Sequence, residues 1–301
     1  MTNRTRGNSP ILLVGANGQV GWELLRTLAP LGQVVAASLE GEYGPSLDLA
    51  DADAIRGLVK DTAPKVIVNA AAYTAVDLAE KDVEQAHRIN AEAVGVLGLA
   101  AQEHAIPVVH YSTDFVFSGD SDKPYTEDDE PAPLNIYGKT KLAGEQALEA
   151  SGARALIFRT SWVYGARGSN FLLTMRRLFR ERDALSIVDD QIGAPTWSRM
   201  LAECTAQVLY RVWCGDLDID EVKGTYHLTG GGQTSWFGFA CAILGANKSE
   251  CKLTPIRSTE YPAPAKRPAY SVLDNSRFQQ TFGLKMPDWH LSLAQCLEEI
   301  D

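Results

Sequence analysis

Short apolar runs alternate with helix-like stretches along the first half of the chain. The runs lie at 11–16, 33–38, 65–72, 106–113 and 155–161. Helical spacing of apolar residues, such as Val20, Leu24 and Leu28, predicts helices over 19–32, 51–64, about 80–104 and around Tyr137. Strands that alternate with helices predict an α/β fold, with a doubly wound parallel sheet and helices on both faces. Ligands of such sheets bind beyond the carboxyl ends of the strands.

A glycine pattern follows the first apolar run. The stretch "GANGQVG" has the spacing GxxGxxG at the junction of a predicted strand and helix. Glycines there allow a tight turn and let a diphosphate approach the backbone, and the helix N-terminus offers N–H donors. We therefore expect a dinucleotide at this loop, although a glycine-rich turn without a ligand is the alternative. The predicted contacts are Gly15, Asn17, Gly18, Gln19, Val20 and Gly21.

The choice of cofactor depends on the end of the second predicted strand. An acidic residue there would bind the ribose hydroxyls of NADH, but Ser38 takes that place and no arginine stands ready for a 2′-phosphate. The sequence therefore leaves NADPH and NADH open and slightly favours NADPH, since no carboxylate at Ser38 would repel the phosphate. Asp48, with Leu49 beside it, is expected either at the adenine end of the cofactor or in a turn.

The alternation of strands and helices weakens after residue 165. The pattern there predicts an amphipathic helix over 170–182, a strand and glycine-rich turn over 224–236, and an irregular proline-rich segment over 258–274. We therefore predict a disordered tail, a Rossmann domain that binds the dinucleotide, and a smaller C-terminal α+β lobe for the substrate. Their bounds are 1–9, 10–165 and 166–301. Whether a strand at 185–190 and the helix after it return to the Rossmann domain stays open.

Composition excludes several classes of protein. The 301 residues are 45% hydrophobic and carry a net charge of −10, and the sequence shows no basic stripe, which argues against nucleic acid. An anionic ligand must therefore be held by local groups. Five cysteines, with no CxxC spacing, argue against a disulfide framework or a thiolate metal site. The sequence has no apolar stretch long enough for a signal peptide or a membrane span, so we expect a cytoplasmic protein.

A tyrosine and a lysine mark the helix after the fourth strand. Tyr137 and Lys141 are four residues apart and therefore share one helical face. An ammonium group beside the phenol is expected to lower the pKa of Tyr137 and make it a proton donor near neutral pH. The alternative is an ordinary solvated helix face. Ser112 and Thr113, at the end of the preceding strand, favour the catalytic interpretation because they belong to the same edge of the sheet.

Seven stretches together resemble a known family. They are "GANGQVGWEL", "VIVNAAAYTAVDLAE", "VVHYSTDFVFSG", "PLNIYGKTKLAGE", "RTSWVYG", "DQIGAPT" and "AKRP", of which the last three are the most specific. The chain resembles the extended short-chain dehydrogenases, and among them the family of dTDP-4-dehydrorhamnose reductases. That resemblance implies reduction of the C4 ketone of dTDP-4-dehydro-L-rhamnose by NADPH or NADH. It implies that Tyr137 donates a proton, that Lys141 tunes Tyr137 and binds the nicotinamide ribose, and that Thr113 binds the reacting oxygen.

The resemblance also implies contacts elsewhere. It places the cofactor near Ala70, Ala71, Ala72 and Thr74, and the substrate near Val76, Asp77, Thr113, Asp114, Phe115 and Trp162. Without the resemblance, Trp162 reads as a core aromatic residue. Arg267 is a candidate for the substrate diphosphate, or else a solvated loop residue. His110, inside the fourth strand, is expected to be a core residue whose nitrogens are satisfied.

Some positions depart from the family pattern. Phe115 stands where tyrosine is common, which removes a hydroxyl from the pocket. Some members form a dimer bridged by Mg²⁺, and Glu23 matches one ligand. Arg199 stands where another glutamate is expected, so we expect no metal; a homodimer stays open. Glu298 and Glu299 are expected to be surface charges.

Two alternatives to a reductase remain. One is a nucleotide-sugar 4-epimerase or 4,6-dehydratase on the same scaffold. Phe115, where a dehydratase has a second carboxylate, counts against dehydration. The other is a non-catalytic subunit, against which the complete set of Thr113, Tyr137 and Lys141 argues.

Overall fold

A computed structural model describes residues 9–246 and 250–300 of the chain. The predicted tail, 1–9, lies outside the described residues apart from Ser9. The strands are β1 Ile11–Val14, β2 Val34–Ala37, β3 Val66–Asn69, β4 Val108–Thr113, β5 Ala155–Thr160, β6 Val163–Tyr164, β7 Ala184–Val188, β8 Ile192–Gly193, β9 Thr196–Trp197, β10 Gly224–His227, β11 Thr234–Ser235 and β12 Lys252–Ile256. The helices are α1 Gln19–Leu28, α2 Ala52–Thr62, α3 Val76–Ala79, α4 Val83–His87, α5 Ala93–Glu103, α6 Ile136–Ala150, α7 Phe171–Glu181, α8 Ser198–Cys214, α9 Ile219–Val222, α10 Trp236–Ala246, α11 Ser276–Phe282 and α12 Trp289–Ile300.

The central sheet is parallel, with the strand order β10-β5-β4-β3-β1-β2. Every residue of β1 and β3 is buried, as expected for strands that are covered on both faces. The predicted doubly wound α/β fold is therefore confirmed. The chain leaves β1 toward β2 on one side and continues from β3 on the other, so the crevice for a ligand lies at the carboxyl ends of β1 and β3.

The two faces of the sheet have separate apolar cores. Leu24 and Leu28 of α1 pack with Leu201 and Leu209 of α8 on one face. On the other face, Ile55 of α2 and Leu97 of α5 belong to a second cluster, together with Leu148 of α6. A third cluster joins α7, α10 and α12 in the smaller part of the molecule. No helix among the described residues combines the length and the apolar character that crossing a membrane requires.

The second part of the chain contributes to the sheet in a way that the sequence did not predict. The strand expected at 185–190 is β7, which pairs with β12 outside the central sheet. Its first three residues are not buried, which does not suit a central strand. The strand that joins the sheet is instead β10, beside β5, and α8 packs on α1. The division at residue 165 stays a prediction. The correction concerns the returning strand: β10, and not the strand at 185–190, joins the central sheet.

The long helix predicted over 80–104 is interrupted. Between α4 and α5 the chain forms a π-helical segment, Arg88–Glu92. Within it, the buried Asn90 accepts a hydrogen bond from the Tyr73 backbone at 2.8 Å and donates to Thr140 at 3.2 Å. The segment therefore ties the loop after β3 to α6, and π-helical turns of this kind are frequent at functional sites.

Candidate active site

The glycine loop packs too closely for a side chain at Gly15 or Gly21. A Cβ atom on Gly21 would lie 2.0 Å from the Gly15 carbonyl oxygen, and one on Gly15, whose φ is 84°, would lie 2.5 Å from the Ala71 nitrogen. The loop after β1 and the loop after β3 therefore meet, as predicted from the sequence. No side chain caps the first turn of α1 after Gly18, so its N–H groups are available to an anion. Val20 points into the core cluster that α1 shares with α8.

A cavity of about 400 Å³ opens beside this loop. Its lining includes Asn17, Gly18, Gln19, Trp22, Tyr43, Ala166, Arg167, Gly168 and Leu173. The Arg167 guanidinium stacks over Trp22, 3.8 Å from the ring centroid, and so places a positive charge beside the loop. Sequence reasoning missed Arg167; its only signal was a basic residue in a glycine-bounded loop after the fifth strand. Asn170 donates to Gln19 at 2.8 Å and anchors that loop to α1.

The other predicted cofactor residues lie along the same edge of the sheet. The Ser38 hydroxyl is buried and has no hydrogen-bond partner among the described residues, so it is ready for a polar ligand atom. Asp48 accepts a hydrogen bond from the Ala50 backbone N–H at 2.8 Å, as expected if it lies in a turn, which was one of its two predicted roles. Leu49, beside it, is half-buried. Asn17 donates to Glu40 at 2.8 Å. The glycine cradle and the Ser38 hydroxyl both fit a dinucleotide.

The reacting group predicted from the sequence is assembled at the carboxyl end of β4. Asn135 caps α6 by accepting from Gly138 at 2.8 Å, which holds Tyr137 in the first turn. The phenol hydrogen-bonds Thr113, whose hydroxyl lies 3.0 Å from Asp114 Oδ1. The Phe115 ring meets the Tyr137 ring edge-on, with centroids 5.8 Å apart. The structure therefore brings these predicted residues together.

The electrostatics of Tyr137 differ from the prediction. Burial raises the pKa of Tyr137 to about 12; the bond from Thr113 lowers it, and the charge of Asp114 raises it. The expectation that Lys141 lowers the pKa of Tyr137 is therefore wrong for this arrangement. Lys141 is 1% exposed, and its Nζ lies 2.6 Å from the Tyr111 carbonyl oxygen and 3.2 Å from His110 Nε2. Burial lowers the pKa of Lys141 to about 8, against the opposing effect of Glu145.

Asp114 is also shifted toward its uncharged form. Its side chain is 2% exposed, and burial raises its pKa to about 7 although Ser271 and Thr113 hydrogen bonds lower it. The second carboxyl oxygen has no partner among the described residues. A carboxyl group that is partly protonated near neutral pH beside the reacting hydroxyls is typical of a catalytic pocket.

The loop after β3 contacts the proline-rich segment. Asp77 pairs with Arg267 at 2.8 Å and accepts from the Ala265 backbone at 3.1 Å. Burial works to raise the pKa of Asp77, but the bonds from Arg267 and Ala265 lower it overall. Arg267 is thus not a solvated loop residue, because it pairs with Asp77. Between these loops, Ala70, Ala71, Ala72 and Val76 are half-buried and Thr74 is exposed.

Trp162 is held in an unusual backbone conformation. Its φ is 46°, which is uncommon for a large side chain and typical of functional sites. Its ring stacks on Trp236, with centroids 3.5 Å apart and an interplanar angle of 6°. A Cβ on Gly193 would lie 2.4 Å from the same ring, so glycine is required beneath it. Both tryptophans are half-buried, so Trp162 does not belong to the core; Trp236 gave no signal in the sequence.

Glu23 is already paired with two cations. It is 2% exposed and contacts Arg26 at 2.8 Å and Arg199 at 3.2 Å. Arg199 also pairs with Glu299, which is exposed on α12, as predicted for a surface charge. No cluster of metal-ligating side chains occurs in the part of the chain that the structure describes. A metal at Glu23 would have to displace both guanidinium groups, and a homodimer stays a prediction.

Known proteins resemble this chain over nearly its whole length. The family described as "RmlD substrate binding domain" matches residues 9–301. The dTDP-4-dehydrorhamnose reductase of Burkholderia thailandensis is 46% identical over 298 residues, which cover 96% of this chain and 98% of that protein. A crystal structure of the Clostridium acetobutylicum reductase has a TM-score of 0.88 at 37% identity and covers 97% of this chain and 99% of its own. The Bacillus anthracis reductase in complex with NADP gives 0.87 at 35% identity, with the same coverage of both chains.

Proposed function

The chain belongs to the dTDP-4-dehydrorhamnose reductase family, and we propose that it reduces the C4 ketone of dTDP-4-dehydro-L-rhamnose with a proton from Tyr137. The observation that carries this proposal is the group of Thr113, Asp114 and Tyr137 at the carboxyl end of β4. This group lies at the same sheet edge as the glycine loop. That edge is where an α/β sheet of this kind binds a dinucleotide.

The glycine loop and the α1 N-terminus are suited to hold the cofactor diphosphate. Backbone N–H groups approach the phosphates there without steric hindrance from Cβ atoms. Arg167, beside the same loop, adds a positive charge to this end of the site. NADPH or NADH, when bound, supplies the hydride. NADP occupies the Bacillus anthracis relative, which supports the same class of cofactor here.

Tyr137 and its neighbours are suited to supply the proton. A phenol with a pKa of about 12 keeps its proton at neutral pH, and reduction of a ketone consumes a proton. Thr113, hydrogen-bonded to the phenol, lies where a second donor to the forming alkoxide is needed. The Trp162–Trp236 stack offers an apolar surface to the sugar. Arg267 can turn from Asp77 to the substrate diphosphate, because its planar fork suits phosphate oxygens.

Replacement of Tyr137 by phenylalanine tests the proposal. We expect Tyr137→Phe to lower kcat by a factor of about 10² to 10⁴, because a proton donor is lost with little change in shape. The assay follows the fall in nicotinamide absorbance when NADPH or NADH is mixed with dTDP-4-dehydro-L-rhamnose. Tyr210→Phe is the matched control, since Tyr210 is 54% exposed on α8. A folded Tyr137→Phe protein that binds cofactor and keeps the kcat of the control would contradict the assignment.

The same assay separates a reductase from the other nucleotide-sugar enzymes. A reductase consumes one reduced nicotinamide for each ketone, whereas an epimerase or dehydratase returns its cofactor unchanged. Phe115 beside Tyr137 leaves no second carboxylate at that place for dehydration. Ketone conversion without net oxidation of the cofactor would overturn the proposed reaction.

A further inference from the structure

A line of buried polar side chains runs from the central sheet into the active site. It consists of Asn69 at the end of β3, His110 in β4 and Lys141 in α6, which are 1%, 0% and 1% exposed. The Asn69 amide nitrogen lies 3.1 Å from His110 Nδ1, and His110 Nε2 lies 3.2 Å from Lys141 Nζ. At the other end, Asn69 Oδ1 accepts from the Ala71 N–H at 3.2 Å. Buried polar groups of this kind need complementary donors and acceptors.

The backbone N–H of Ala71 decides the direction of every bond in this line. That N–H can only donate, so the Asn69 oxygen faces it and the Asn69 NH₂ group faces His110. An NH₂ group also only donates, so His110 Nδ1 must be the acceptor and Nε2 carries the proton. The Nε2–H then points at Lys141, which can accept a hydrogen bond only through the lone pair of an uncharged amine. One N–H of that amine still donates to the Tyr111 carbonyl at 2.6 Å.

We propose that His110 is a positioning residue that acts through Lys141: Asn69 fixes it as the Nε2–H tautomer, and at mildly alkaline pH its N–H holds the lysine as a neutral amine when no cofactor is bound. With the opposite tautomer, the His110 Nδ1–H would face the Asn69 NH₂ group, which is also a donor. If the Asn69 amide turned to avoid this, its NH₂ group would face the Ala71 N–H instead. A charged lysine would place its N–H groups against the His110 N–H. Only the neutral amine satisfies every member of the line. The consequence for catalysis rests on the proposed function, whereas the tautomer does not.

The charges around Lys141 agree with this assignment. Burial lowers the pKa of Lys141, and Glu145, one helical turn along α6, is the negative charge that opposes it. Glu145 is itself paired with Arg159 at 2.6 Å, which limits its influence. From β4, burial keeps the pKa of His110 well below its ordinary value, so His110 is neutral. Tyr137, on the same helix, keeps its proton because burial raises its pKa to about 12.

Nuclear magnetic resonance of the protein without cofactor tests the tautomer directly. Histidine labelled with nitrogen-15 reports which ring nitrogen carries the proton, and the His110→Gln variant assigns the signal. At about pH 9 we expect Nε2 protonated and Nδ1 bare, and a Lys141 pKa from Cε titration at least one unit below the ordinary value of about 10.4. Protonation of Nδ1, or of both nitrogens, overturns the proposal. So does a Lys141 pKa at or above the ordinary value.

Asn69→Asp should reverse the line of bonds. A carboxylate only accepts, so it receives the Ala71 N–H and the His110 Nδ1–H, and Nε2 becomes an acceptor for charged Lys141. We expect the proton of His110 to move to Nδ1 and the Lys141 pKa to rise by at least one unit. Asn90→Asp is the matched control, because Asn90 is equally buried but contacts Tyr73 and Thr140, and it should leave the His110 signal unchanged.

An unchanged tautomer in folded Asn69→Asp overturns the assigned direction. If that variant does not fold, the wild-type tautomer still decides the question. Neither measurement needs substrate or turnover, so failure of this proposal is distinct from failure of the proposed reaction.

Discussion

Loss of the buried ion pair between α6 and β5 should be costly. The side chains of Glu145 and Arg159 are 3% and 6% exposed and share three hydrogen bonds, at 2.6, 3.0 and 3.2 Å. Glu145→Gln keeps the shape and one acceptor but removes the negative charge, which leaves a guanidinium in the interior without its counter-ion. Removal of one partner from a buried pair costs about 3 to 5 kcal/mol. Because glutamine still accepts a bond, we expect a loss of about 3 kcal/mol.

Urea denaturation, followed by fluorescence, measures the change in the free energy of unfolding. The matched control is Glu181→Gln, which breaks the exposed pair between Glu181 and Arg177 on α7, whose atoms lie 2.8 Å apart. Both changes delete one negative charge from an ion pair. The pair on α7 is exposed and has one hydrogen bond, whereas the pair between α6 and β5 is buried and has three. Exposed pairs of this spacing contribute about 0.3 to 0.5 kcal/mol. Equal losses in the two variants would refute the argument from burial.

The same variant has a consequence in the active site. Glu145 raises the pKa of Lys141 toward its ordinary value, so Glu145→Gln should lower that pKa further. The lysine would then stay neutral over a wider range of pH. Titration of the Lys141 Cε signal measures this directly. A pKa that rises in Glu145→Gln would mean that the charge of Glu145 does not act on the lysine as argued.

Three further predictions concern backbone packing, pH and the aromatic stack. Gly21→Ala places a Cβ 2.0 Å from a backbone oxygen, so we expect a loss of about 1 to 3 kcal/mol in the free energy of unfolding and weaker cofactor binding in a fluorescence titration. The control Gly57→Ala, whose Cβ would have no atom within 4 Å, should gain up to about 1 kcal/mol. The pKa of Asp114 is raised to about 7, so its contribution to the free energy of unfolding is fully present below about pH 4 and is lost as the pH rises through 7. In urea titrations, Asp114→Asn should therefore become increasingly stable relative to the wild type between about pH 4 and pH 8. Trp236→Leu should raise KM for the sugar nucleotide up to about tenfold with a smaller effect on kcat, because Trp162 loses its stacking partner; an unchanged KM would contradict that role.

The first half of the fold could be predicted because its signals are local. Each buried strand is a short apolar run, and each helix shows its own spacing of apolar residues. A strand at the start of 224–236 was predicted, but its place in the central sheet could not be predicted in the same way. Its residues, "GTYH", are few and mixed, and they are in the sheet because β5 offers an unpaired edge. Strand β7 has the stronger apolar pattern, but its partner is β12, which is distant in sequence.

The site shows the same limit at the level of single contacts. The spacing of Tyr137 and Lys141 correctly predicts a shared helical face, but it does not reveal what stands opposite Lys141. His110, on β4, lies there, with its Nε2 3.2 Å from Lys141 Nζ. The ion pair of Asp77 and Arg267 joins residues 190 positions apart, so each looked like an independent substrate contact. Pattern alone therefore identifies the candidate residues of the site, whereas their charge states depend on tertiary neighbours.

Burial is the common cause that makes the three titratable groups of the site less charged. It raises the pKa of Tyr137 and of Asp114, and it lowers the pKa of Lys141. A centre with little charge does not repel an anionic nucleotide sugar, although the whole chain carries a net charge of −10. Attraction must then come from the edges of the site, where Arg167 lies beside the glycine loop and Arg267 on the opposite segment. Under the proposed function, the two arginines suited to phosphate thus lie apart from the buried groups that would move a proton, so each set can be altered without the other.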